Sequence, residues 1–175
     1  MKRLKRAQRV AVMAALVEGN SLRSTVRLTD VSMPTVLKLL VELGAVCTTY
    51  QDVVLKNLPC TRIEADECWS FCYAKAANVP ASKQGVFGYG DIWTWVAIDS
   101  NTKLVPSWRV GPRDAMTAYD FMQDLAGRLR HRVQLTTDGL KVYLNAVEDA
   151  FGADIDYAML QKVYGSDPQA EKRYS

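Results

Sequence analysis

The chain has 175 residues, of which 49% are hydrophobic and 23% are charged, and its formal net charge is +3. This is an ordinary globular composition, long enough to bury a core. Charged residues interrupt every apolar stretch well before 18 residues, and the basic N-terminus is not followed by an apolar segment of the kind typical of a signal sequence. We therefore expect neither a membrane span nor an export signal, and we place the protein in the cytoplasm.

The charges are unevenly distributed along the chain. Residues 1–44 contain eight Lys or Arg against three acids, whereas residues 45–175 contain 14 basic and 16 acidic residues. A basic segment suits a polyanion, and acids grouped in the remainder suit a cation site. The two parts are therefore expected to have different partners.

Three amphipathic helices are predicted within residues 1–44. The first covers residues 6–18, the second covers residues 22–28 with Ser21 as its N-cap, and the third begins at Ser32 and ends at Gly44. Pro34 lies in the first turn of the third helix, where proline is tolerated. The side chains expected to face the core are Val10, Met13, Ala14 and Val17 in the first helix, and Val36, Leu39, Leu40 and Leu43 in the third.

A brief turn between the last two helices is typical of a helix-turn-helix unit. In such a unit the N-terminal part of the last helix enters the major groove, which makes Ser32, Thr35 and Lys38 candidate DNA contacts. Arg23 and Arg27 are expected to reach phosphates. A three-helix packing module without nucleic acid is the alternative.

The remainder of the chain is predicted to form an α/β domain. We assign residues 1–46 to the helix-turn-helix domain, 47–62 to a linker and 63–175 to the larger domain. Strands are expected at residues 63–73, 92–98, 104–110, 133–137 and 155–160. One helix follows the N-cap Asp114, and another carries the inward residues Leu140, Tyr143, Leu144, Val147 and Phe151.

The acidic strand at residues 63–73 contains the most informative carboxylate. Alternation places Asp66 in mid-strand on a face of small side chains, opposite a face with Ile63, Ala65, Trp69, Phe71 and Tyr73. A carboxylate there is costly to bury unless it is paired, hydrogen-bonded or bound to metal. The other acids considered are expected to be solvated, turn or capping groups: Glu67, Asp91, Asp99, Asp114 and Glu148.

The order of strands and helices from residue 63 is that of a ribonuclease H-like domain, an α+β fold with a mixed sheet. In that arrangement the first strand is central and the fourth lies beside it. Asp66 and Asp138 would then converge, although 72 residues separate them. Two convergent carboxylates favour Mg²⁺ or Mn²⁺ and, with a third, the metal chemistry of phosphodiester cleavage.

Three strings carry a family resemblance: residues 66–71 (DECWSF), 93–99 (WTWVAID) and 137–143 (TDGLKVY). Together they resemble the transposases of the bacterial insertion sequence one family, and the similarity runs through essentially the whole chain. The resemblance implies an Asp-Asp-Glu transposase with a ribonuclease H-like catalytic domain, in which Asp66 and Asp138 match the first two acids.

The chain departs from that family at the third acid. The family has a Glu, followed by Arg, on a helix beyond the last strand, and no such tract occurs before Ser175. Glu171 is the best substitute within the chain, although the match places it before the missing tract. The sequence therefore resembles a transposase truncated at its C-terminus.

The function predicted from the sequence is DNA transposition, with the catalytic step inactive or impaired in this chain. The expected partners are double-stranded DNA, as element terminal repeats and target DNA, and further copies of the chain on that DNA, in the nucleoid. The alternatives are a non-enzymatic DNA-binding regulator derived from a transposase, and a nuclease or resolvase that shares only the ribonuclease H-like core.

Overall fold

A computed structural model of the chain describes residues 4–86 and 88–160. These residues form five α-helices and a mixed five-stranded sheet, an α/β architecture that agrees with the predicted mixed fold class. The chain divides after Leu55 into two compact units, which are described separately.

The first unit contains three helices, α1 (Arg6–Val17), α2 (Leu22–Thr29) and α3 (Met33–Val54). Ser21 caps α2 as predicted, because its hydroxyl accepts a hydrogen bond from the backbone N–H of Ser24 at 3.1 Å. Pro34 lies in the first turn of α3. A small buried cluster holds the three helices together: Val12, Val31, Val36 and Leu39.

Helix α3 is longer than predicted. It continues through Gly44 to Val54, so the predicted end at Gly44 is wrong, and residues 47–54 of the predicted linker are helical. A glycine inside a helix costs only about 1 kcal/mol relative to alanine, which does not end a helix whose following residues are compatible with it. The hydroxyls of Thr48 and Thr49 bond to carbonyls one turn earlier within the continued helix.

The predicted inward face of α1 is also wrong. Val10 and Val17 are 51% and 78% exposed, whereas Val12 is buried and Leu16 packs against the cluster. Residues 10–17 are all apolar, so periodicity alone cannot select one face of this helix. In α3, Val36 and Leu39 are buried as predicted, but Leu40 is 40% exposed.

The second unit is built on five strands: β1 (Arg62–Cys72), β2 (Gly90–Asp99), β3 (Ser107–Gly111), β4 (Gln134–Thr137) and β5 (Asp156–Met159). Their order in the sheet is β3-β2-β1-β4-β5. The first three strands are antiparallel neighbours, and β1, β4 and β5 run parallel. The prediction that the first strand is central and the fourth lies beside it is confirmed.

Helices α4 (Ala115–Ala126) and α5 (Val142–Phe151) pack on one face of this sheet. Ile63 and Ala65 of β1 point toward these helices, as do Trp95 and Ala97 of β2, and all four are buried. Trp95 lies near the centre of the core, 6.1 Å from the ring of Phe121 in α4 and 5.5 Å from that of Tyr143 in α5. The core thus holds α5 against the sheet in which β1 carries Asp66 and Glu67 and β4 precedes Asp138.

Across the described part of the chain, no single helix is both long and apolar enough to cross a bilayer. Only α2 and α3 taken together reach that length and composition, and they bend by 112° at their junction.

Candidate metal centre

The central strand β1 extends past the end of its parallel neighbour β4. Pairing between them ends at Ala65 and Thr137, while β1 continues beside β2 to Cys72. Asp66 and Glu67 therefore follow directly after the last paired residue of β1, and Asp138 follows the last residue of β4. This step in the sheet brings the three acids to one place.

The three carboxylates converge closely. Asp66, Glu67 and Asp138 each offer an oxygen atom, and these atoms lie within 4.8 Å of one another. The backbone N–H of Leu140 donates a hydrogen bond to Oδ1 of Asp138 at 3.0 Å and orients that carboxylate at the start of the segment leading into α5. We call these three residues the acid cluster.

Glu67 differs most from its predicted role. It was expected to be a solvated, turn or capping acid, but its side chain is only 1% exposed. It lies on the same face of β1 as Ile63 and Ala65, between the sheet and the helices. The strict alternation of a strand required this placement, since residues 63, 65 and 67 share one face.

Arg113 joins two members of the acid cluster. Its Nε donates to Oε2 of Glu67 at 3.1 Å, and its guanidinium lies 3.5 Å from Oδ2 of Asp138. The guanidinium also lies over the ring of Trp93, 4.7 Å from the ring centre. Arg113 thus offsets part of the negative charge that the three acids concentrate.

Two buried oxygens at the acid cluster, Oε1 of Glu67 and the hydroxyl of Tyr143, have no well-formed hydrogen bond among the described residues, although the two side chains interact with each other. Tyr143 is fully buried, and its pKa is raised first by burial, then by hydrogen bonding to the Glu67 carboxylate and by the charges of Glu67, Asp138 and Asp66. Burial also raises the pKa of Glu67, with a further contribution from Asp138, against the opposing effects of Tyr143 and Arg113. The buried carboxylate of Glu67 therefore uses only part of its hydrogen-bonding capacity.

These residues fit a divalent cation. Carboxylate oxygens are the ligands that Mg²⁺ and Mn²⁺ prefer, and Oε1 of Glu67 is a buried acceptor without a well-formed hydrogen bond. Asp66 and Asp138 would hold the cation together with Glu67. A cation bound there would favour the ionised form of Glu67, which burial disfavours.

The raised pKa of Glu67 predicts a pH dependence of stability in the metal-free chain. Because the folded pKa exceeds the unfolded one, the stabilising contribution is complete below the unfolded pKa and is lost as the pH rises through the folded pKa. Glu67→Gln removes this loss. The free energy of unfolding of Glu67→Gln, minus that of the wild type, should therefore increase as the pH rises through this range.

Denaturant unfolding in EDTA at a series of pH values measures this difference. The matched control is Glu64→Gln, because Glu64 lies exposed on the same strand and accepts a hydrogen bond from Ser100. It should reproduce the pH profile of the wild type. Identical profiles for Glu67→Gln and the wild type would show that burial of Glu67 has no such effect.

The remaining acids have local structural roles or are exposed. Asp114 caps α4 as predicted, accepting a hydrogen bond from the N–H of Thr117 at 2.8 Å. Asp99 belongs to the predicted turn, where it binds Thr102, but it is buried and not solvated. Asp91 accepts from the N–H of Ala76, and Glu148 is exposed. Glu171 lies outside the described residues.

The five candidate DNA contacts lie at the surface of the first unit. Arg23 and Arg27 are exposed one turn apart on α2. At the start of α3 the hydroxyls of Ser32 and Thr35 lie 3.0 Å apart and bond to each other. Lys38 is exposed and forms a weak ion pair with Glu42 at 3.9 Å.

The chain matches no protein-family model, and a search of curated proteins also finds no match.

Proposed function

We propose that this protein is a transposase of the insertion sequence one type, which binds DNA through its first unit and acts on phosphodiesters at the acid cluster. The observation that carries this proposal is the convergence of Asp66 and Asp138 on neighbouring strands, together with Glu67. These residues lie within the strings on which the sequence resemblance rests.

The sheet supports a ribonuclease H-like assignment for the second unit. Three antiparallel strands are followed by two strands that join in parallel, each after a helix, and the first strand is central. In open α/β sheets, ligands bind beyond the carboxyl ends of the strands. Asp138 occupies such a position, since it follows the last residue of β4.

The helices of the first unit support a helix-turn-helix assignment. Residues 30–32 connect α2 to α3, and the two helices bend by 112° at that junction. Helix-turn-helix motifs join their helices by three or four residues at roughly 90–120°. The exposed Ser32 and Lys38 and the half-buried Thr35 would then face base edges, with Arg23 and Arg27 near phosphates.

The chemistry is divided among residues of the acid cluster. Mg²⁺ or Mn²⁺ bound there would activate the attacking oxygen and stabilise the leaving oxygen of a phosphodiester. Asp66 and Asp138 would hold the cation, and Glu67 would supply the third carboxylate among the described residues. Arg113 competes for Glu67 and Asp138, so we expect catalysis by this chain to be slow.

The test is nicking of supercoiled duplex DNA by the purified chain in Mn²⁺, in Mg²⁺ and in EDTA, with DNA binding measured in parallel by gel shift. We expect binding in all three conditions and slow nicking only with metal. A linear duplex that carries element ends, compared with branched and hybrid substrates, separates a transposase from a nuclease or resolvase.

Binding without any metal-dependent nicking would contradict the enzymatic proposal and favour a DNA-binding regulator. The observation in favour of that second candidate is Arg113, whose guanidinium already contacts two of the three carboxylates. In such a regulator the acid cluster and Arg113 would serve only to stabilise the second unit.

A further inference from the structure

Four aromatic rings, three of them exposed and that of Tyr89 half-buried, lie on and beside the part of β1 that extends past β4. Trp69, Phe71 and Tyr73 are 43%, 48% and 63% exposed, and the ring of Tyr89 lies 5.2 Å from that of Tyr73. The rings of Trp69 and Phe71 lie 5.7 Å apart. We call these four residues the aromatic ledge.

The aromatic ledge begins at Trp69, two residues after Glu67 along β1. The register between β1 and β2 runs unbroken from Ile63 to Cys72, so Trp69 and Phe71 share the face of Glu67. Trp93 is the cross-strand neighbour of Trp69 and carries the guanidinium of Arg113 on its ring. The ledge is therefore continuous, through Trp93 and Arg113, with the carboxylates.

Two lysines border the aromatic ledge. The Nζ of Lys75 lies 5.2 Å from the ring centre of Trp69, and the Nζ of Lys83 lies 4.7 Å from the centres of both Tyr73 and Tyr89. Within residues 4–86 and 88–160, neither lysine has a carboxylate partner. The surface therefore combines ring faces with uncompensated positive charge.

The backbone has an unusual conformation at Tyr73, just after the end of β1. Tyr73 has a φ of +67°, a conformation that is uncommon for a bulky side chain. Such a conformation persists only where the surrounding contacts hold it, and it is found more often at ligand sites. Here it accompanies the contacts of Tyr73 with Tyr89 and Lys83.

We propose that the aromatic ledge binds unpaired nucleotides of DNA, with bases stacked on the rings and phosphates paired with Lys75 and Lys83. Proteins that bind single strands combine aromatic platforms with cationic side chains. The paired bases of a duplex offer no free faces for such stacking. A DNA strand held there would extend along the same face of β1 toward the acid cluster. The role of that DNA strand in cleavage rests on the proposed function.

The test is the affinity of the full chain for a fluorescent oligodeoxythymidylate of about 20 nucleotides, longer than one such binding site. Fluorescence anisotropy is measured in EDTA, with excess unlabelled duplex DNA to occupy the first unit. Trp69→Ala should weaken binding by about tenfold or more, because stacking on one ring contributes that much. Trp69→Tyr should retain most of the affinity.

The matched control is Trp108→Ala. Trp108 is 45% exposed on β3 but points to the opposite face of the sheet from its neighbour Ser107, which bonds to α4 through Asp124. This variant should bind the oligonucleotide as the wild type does. Circular dichroism confirms the fold of each variant, and Lys83→Glu, which removes no ring, should also weaken binding.

Three results would overturn the proposal: equal affinity for wild type and Trp69→Ala, equal losses for Trp69→Ala and Trp108→Ala, or a change only in self-association. The last would identify the aromatic ledge as a contact between copies of the chain. The binding assay contains no metal, so it reports binding and no cleavage. Failure of nicking alone would therefore contradict the proposed function and leave this inference intact.

Discussion

Asp138→Asn is expected to reduce the rate of Mn²⁺-dependent DNA nicking by at least about 10–100-fold. Loss of a group that only supports a metal ligand costs about 10–100-fold, and loss of the ligand itself should cost no less. The amide keeps an oxygen that can accept from the N–H of Leu140, so the local turn is preserved. The measurement is the initial rate of nicking of supercoiled DNA at saturating Mn²⁺.

Glu64→Gln is the control for this variant, because it also removes one carboxylate. Glu64 is exposed and accepts a hydrogen bond from the hydroxyl of Ser100. Its nicking rate should match that of the wild type. A similar decrease in both variants would mean that overall charge, and not the acid cluster, limits the reaction. Retention of full activity by Asp138→Asn would place the reaction elsewhere.

Trp95→Ala is expected to lower the free energy of unfolding of the second unit by about 3–5 kcal/mol, the usual cost of deleting a large buried aromatic side chain. Trp95 is fully buried, and its Nε1 donates to the carbonyl of Pro112 at 3.2 Å. The substitution removes contacts with Phe121 and Tyr143 and leaves the Pro112 carbonyl without that donor. Denaturant unfolding followed by far-ultraviolet circular dichroism measures the loss.

Trp108→Ala is again the appropriate comparison, since it deletes the same side chain from a half-exposed position in the same sheet. We expect it to cost clearly less than Trp95→Ala, because nearly half of the Trp108 side chain is in contact with solvent in the folded chain. Equal losses for the two variants would show that the face of the sheet beneath α4 and α5 is not the main core.

Much of the second unit could be predicted from the sequence because its strands and helices carry clear local patterns. The strand around Asp66, the Trp-rich strand and the helix capped by Asp114 all form where alternation and capping predict them. Their order then predicted the central position of β1. The same order predicted that Asp66 and Asp138 lie close together, because β1 and β4 are neighbours.

At Glu67 two features of the sequence, the alternation of the strand and the charge of the side chain, predict opposite orientations. Its position, two residues after Ala65, required it to point toward the helices. Its charge instead favours an orientation toward solvent. Such disagreement is expected at functional sites, where a polar side chain is placed against its local preference.

Other features depend on contacts between distant residues and were not available from local patterns. Arg113 precedes the cap of α4 by one residue and looks like part of a turn, yet it reaches both Glu67 and Asp138. Similarly, the inward face of α1 depends on its packing against Val31 and Val36. The continuation of α3 past Gly44 is a different case, because it is local: residues 45–54 lack strong periodicity, which favours a linker, yet they are helical.

Calorimetric titration of the metal-free chain with Mn²⁺ tests most directly whether the acid cluster binds a divalent cation. We expect saturable binding to the wild type and to Glu64→Gln, and loss of this binding in Asp66→Asn. Absence of binding at millimolar Mn²⁺, or equal binding by all three proteins, would contradict this expectation.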